Sequence, residues 1–111
     1  METFTVDLTF EEARTKIKEF VLSEGASTEC VGEYEQEAQD GKKVAMLVFE
    51  KFYMRNSSRA SLSVIIENLK DQTVVGAVGS GGGESALFKF DFGAGSNFAD
   101  VVRQAVDAYI V

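Results

Sequence analysis

The residues able to do chemistry in this chain are few, and each has a plainer use. Ser80-Gly81-Gly82, within the stretch 79–83, could let backbone amides approach a phosphate. Phosphate loops run from a strand into a helix and supply a lysine, whereas this one leads through Glu84 into a strand pattern. A hairpin connection is the favoured reading. Lys51, Arg55 and Arg59 gather cationic groups around a loop and, with Tyr53, are the candidate ligand or partner contact. As a groove for nucleic acid they are outweighed by the reading as solvated loop charges. Cys30 could be a nucleophile, but the carboxylates Glu29 and Glu33 stand beside it and no imidazole exists to take its proton. A small strand residue is favoured there. Glu29, Glu33, Glu35 and Glu37 could attract a hard cation, yet a linear row does not wrap an ion as calcium sites do. A solvated edge strand explains the row better.

What is missing excludes more. The 111 residues contain no His, no Pro and one Cys. Without His there is no Ser-His-Asp triad and no imidazole ligand for zinc or haem. One Cys makes no internal disulfide and is too few for a structural zinc site. No cofactor, metal site or catalytic residue is called for, and an enzyme is the less favoured class. The net charge is −7, from 18 acids and 11 bases. Residues 1–50 hold 12 acids and 5 bases, so the negative charge sits in that half. Such a chain repels nucleic acid. The start is acidic rather than basic and apolar, and no stretch is apolar enough to span a bilayer. A soluble cytoplasmic protein is expected, with neither membrane nor nucleic acid as partner.

The elements that must position these groups follow from periodicity. Phe4, Val6 and Leu8 alternate with polar neighbours as a half-buried strand does. Thr9-Phe10-Glu11-Glu12 is a capping box, followed by Phe10, Ala13, Ile17, Phe20 and Val21 at helical spacing and by Gly25 as a stop. Residues 27–38 and 43–54 flank Asp40-Gly41, which predicts a type I′ hairpin with Ala38 facing Lys43. In 59–69, Ala60, Leu62, Val64 and Ile66 alternate with polar residues, and 73–78 is small and β-branched. Phe88, Phe90 and Phe92 predict a further strand with a large share of the core. After Gly93-Ala94-Gly95, Ser96 or Asn97 is expected to cap a last helix, with Asp100 near its positive end. Its stripe runs from Phe98 through Val102 and Val106 to Tyr109, and the chain is expected to end within it. The order β-α-β-β-β-β-β-α predicts one α+β domain over residues 1–111. It would have a single antiparallel sheet of five to six strands and helices on one face.

Phe49-Glu50-Lys51-Phe52-Tyr53, the segment Arg59 to Val64, and Ser80-Gly81-Gly82 with Phe88 and Phe90 carry a resemblance. On these motifs the chain resembles a family of small bacterial proteins of unknown function, of about its own length. The likeness spans most of the chain, implies no activity and lends no functional residue. The element order is also similar to a shortened helix-grip fold. That similarity implies an apolar ligand held between the sheet and the C-terminal helix, as the alternative function.

The leading expectation comes from an apolar surplus. Residues 43–54 carry Met46, Val48, Phe52 and Met54 on one face and Leu47, Phe49 and Tyr53 on the other. Helices on one side of a sheet cover only one such set. The other predicts a contact surface, with a homodimer as the expected occupant and self-association as the function. The alternation does not say which set is which.

Overall fold

The computed structural model describes residues 1–24, 27–54, 57–81 and 94–111. It shows an α+β fold with one antiparallel sheet and both helices on one face. The chain runs β1 (Glu2–Val6), α1 (Phe10–Leu22), β2 (Thr28–Glu37), β3 (Lys43–Tyr53), β4 (Ser58–Glu67), β5 (Thr73–Gly81) and α2 (Ala94–Val106). The five strands lie in the order β1-β5-β4-β3-β2. The connection through α1 therefore carries the chain from one edge of the sheet to the other. The expected strand over 87–92, with Phe88, Phe90 and Phe92, lies outside the described residues, as does Gly25.

Local chemistry accounts for the elements. Thr9 and Glu12 form the capping box: the Thr9 amide donates to Glu12 Oε1 at 3.0 Å and the Glu12 amide to Thr9 Oγ1 at 3.1 Å. Phe10, Ala13, Ile17 and Val21 then point down one side of α1 and are buried. Under them lie Ala45, Leu47 and Phe49 of β3, Ala60, Leu62, Val64 and Ile66 of β4, and Phe4 and Val6 of β1. Val101, Val102 and Val106 of α2 complete one continuous core.

The β2–β3 turn departs from the type I′ expectation. Only Gly41 has positive φ, at 86°. Its amide donates to the Ala38 carbonyl at 2.9 Å, and the Ala38 amide to the Lys42 carbonyl at 2.7 Å. The loop is therefore one residue longer, with Glu37 rather than Ala38 facing Lys43. A left-handed glycine closing a three-residue loop fits the twist of the strands as well as two left-handed residues would. The β4–β5 turn has the same bond and a left-handed residue, with Asp71 at φ 71° and its amide donating to the Asn68 carbonyl at 3.2 Å, but its strands pair one residue further along, Glu67 facing Val74. Lys42 pairs with Asp71, so the two turns are joined.

The C-terminal segment also differs from expectation. α2 begins at Ala94, so Ser96 and Asn97 lie inside it and Asp100 falls beyond its first turn. The helix stops at Val106, a 3₁₀ turn covers Asp107–Tyr109, and Ile110 bridges to Val6. The Asp7 amide donates to the Tyr109 carbonyl at 2.7 Å and the Val111 amide to the Thr5 carbonyl at 3.0 Å. Pairing the open edge of β1 satisfies groups that further helix would leave exposed.

Candidate functional site

Strand parity divides the anticipated contact residues. Lys51 faces Ala60, which is buried in the core, so Lys51 and Tyr53 belong to the helix side of the sheet. Lys51 Nζ donates to the Glu24 carbonyl at 3.0 Å and stands 5.5 Å from the Tyr53 ring centre. Burial raises the Tyr53 pKa above its ordinary value. Arg59 and Ser80 project from the opposite side, because Arg59 faces Phe52 and Ser80 faces Ser61. Gly81 pairs with Ala60 at the end of β5, and Arg55 and Gly82 lie outside the described residues. Lys51 and Tyr53 thus share no site with Arg59 and Ser80.

The acidic strand is also divided, by a β-bulge at Val31. Cys30 faces Phe49 and Gly32 faces Val48, so one extra residue reverses the alternation. Glu29 consequently points away from the helices, whereas Glu33 and Glu35 point toward α1. They are not a purely solvated row. Arg14 pairs with Glu33 and, at 3.2 Å, with Glu35, and Lys18 reaches Glu33 at 2.9 Å. The Lys18 ammonium, joined by Arg14, holds the Glu33 carboxyl below its ordinary pKa.

A depressed folded-state pKa stabilises the fold above the ordinary carboxylate range, and that contribution fades as pH falls through the folded value. Glu33→Gln should therefore lose about 0.2–1 kcal/mol at neutral pH, the scale of partly exposed ion pairs. Urea unfolding from pH 7 down to pH 3 should bring variant and parent together. A constant difference across that range would show that the charge has no part in it.

Cavities offer little chemistry. An open cleft of about 590 Å³ lies between the β1–α1 connection and the β4–β5 turn. The fold already uses several of its polar groups: Thr73 Oγ1 donates to the Leu8 carbonyl at 2.6 Å, Thr9 and Glu12 cap α1, and Asn68 accepts from the Lys43 amide at 2.7 Å. Among the described residues no group of three or more His, Cys, Asp or Glu is placed to hold a metal. No described helix is long and apolar enough to cross a membrane.

The feature left is the outer face of the sheet. Leu47 and Phe49 are 0% exposed in the core, whereas Met46 is 45% exposed on the other side, with half-buried Val48 and Phe52 on the same face. Met54, expected in that set, lies just past the end of β3 and is exposed. Across the strands Tyr34, Met46, Ile65 and Gly76 form one row. Gly32, Val48, Ser63 and Val78 form the next, and on the other side of the first row Val44 and Val74 flank Glu67. No described element packs on this face. At one end stand Glu29, Glu50, Arg59, Ser61 and Ser80. Arg59 meets Glu50 at 3.4 Å and lies 5.5 Å from the Phe52 ring centre, and the Ser61 and Ser80 hydroxyls share a hydrogen bond of 2.8 Å.

Tyr34, Ile65 and Val78 escaped the sequence reading of this surface. The signal was there: Ile65 occupies a position that Ser61 and Ser63 mark as outward, and Tyr34 interrupts a glutamate row. Neither curated proteins nor solved structures provide a match to the chain. The family model of a family of unknown function, DUF6054, matches residues 1–110, and the chain belongs to that family.

Proposed function

We propose that this protein is a non-enzymatic association module that pairs with a second copy of itself through the open face of the sheet. The apolar band centred on Met46 carries this reading. Three further observations support it. The edges are poor docking sites: β1 is partly paired by Tyr109 and Val111, and β2 is interrupted by its bulge and lined with carboxylates. The area is also adequate. Strands about 4.8 Å apart, four of them about 30 Å long and β1 about half that, present roughly 650 Å² per copy, so a pair buries an interface at the lower end of the standard size. Finally, Val102 and Val106 of α2 are fully buried against the sheet, which favours a contact on the outer face over an apolar ligand beneath the helix.

The experiment is sedimentation of the parent and of Met46→Glu over a wide concentration range, with circular dichroism alongside. The parent should sediment as a dimer. The variant should keep the parent spectrum and dissociate, its Kd raised roughly a hundredfold by the cost of desolvating a carboxylate. A parent that stays monomeric at high concentration overturns the reading.

A further inference from the structure

We infer that the two copies meet about a two-fold axis parallel to the strands, lying between β3 and β4. This rests on the self-association proposed above and specifies its geometry. Rotation about such an axis keeps each cross-strand row at its own level and reverses it end for end. The observed rows are complementary to their own reversal. Tyr34, 58% exposed at one end of its row, falls on the partner's Gly76 at the other, and Met46 falls on the partner's Ile65. The space over Gly76 is filled by its neighbours, with Ile65 Cγ2 3.1 Å and Met1 Sδ 3.3 Å from where a Cβ would stand, so Tyr34 packs on an apolar surface made by Ile65 and the exposed Met1. In the next row Gly32 falls beneath the partner's Val78, and Gly32 has open space, since a Cβ there would meet only Val48 at 3.8 Å.

The polar end agrees. Glu29 and Glu50 fall opposite the partner's Ser80 and Ser61; one of these hydroxyls donates to the other, leaving the second to donate across the interface, and Phe52 falls opposite the partner's Arg59. Other axes do worse. An in-plane axis across the strands stacks each strand on its own copy, so Glu50 meets the apolar side chains of β3 instead of a hydroxyl donor. An axis running along β4 stacks Arg59 on its own copy, where like charges face each other.

The test places a nitroxide on Met54→Cys in a Cys30→Ser background and measures the dipolar distance in the dimer. Met54 is exposed and follows β3 where the chain turns back toward β4, so this axis brings the two labels within roughly 25 Å. An axis across the strands separates them by roughly a strand length or more, above about 30 Å. A dimer with the long distance overturns the axis and leaves self-association standing. A monomeric parent, or a dimer unaffected by Met46→Glu, overturns the underlying reading as well. As a second measurement, Met46→Lys and Ile65→Glu should each be monomeric and should form a one-to-one dimer on mixing, because the two changes face each other across this axis. Failure to re-form that dimer overturns the axis.

Discussion

Leu47→Glu should abolish cooperative folding at neutral pH, although the same change one residue earlier leaves the fold intact. Leu47 is 0% exposed and faces Val64 on β4 and Glu33 on β2. Removing the leucine forfeits about 2–5 kcal/mol of packing. The new carboxylate must either ionise in an apolar core or take up a proton at a raised pKa, and it meets Glu33 directly across the ladder, where like charges repel. The combined loss is comparable with the whole stability of a domain this size, about 5–15 kcal/mol. Circular dichroism and urea titration of Leu47→Glu beside Met46→Glu give the readout. If Leu47→Glu unfolds at the parent's urea midpoint, the two faces of β3 have been exchanged in this account.

Phe49→Ala should cost about 3–5 kcal/mol, the range for emptying a packed aromatic site. Phe49 is the largest fully buried side chain among the described residues, set between Cys30 on β2 and Leu62 on β4. Both strands and α1 close around it, so the cavity cannot collapse cheaply. The melting temperature should fall by at least about 12 °C. Phe52→Ala, three residues along and on the outer face, is the control. It should change monomer stability by less than about 1 kcal/mol and act instead on association. Equal losses in the two variants would mean that the outer face is packed as tightly as the core.

Much of the fold is legible in the residues themselves. Thr9 and Glu12 announce the start of α1 because a capping box is local, satisfied within four residues. The inward set Ala60, Leu62, Val64 and Ile66 is legible because its outward neighbours are mostly serines and charges, so only one assignment buries the apolar side. The acidic character of β2 likewise points to an edge, and β2 is an edge.

Where both assignments bury something apolar, the sequence is silent. Met46 and Leu47 differ little in hydropathy, and only the packing of α1 and α2 selects Leu47 and Phe49 for the core. The bulge at Val31 is silent too, because it is a relation between two strands. It nevertheless turns Glu29 away from Glu33 and brings Glu33 within reach of Arg14 and Lys18. The same parity separates Lys51 and Tyr53 from Arg59, although these residues stand close together along the chain. Sequence by itself determined the elements, their order and the excess of apolar surface, since these depend on contacts within a few residues. Tertiary structure alone decided which surface is open and what shares it, because side-chain direction in a sheet is set by the register of strands far apart in the chain.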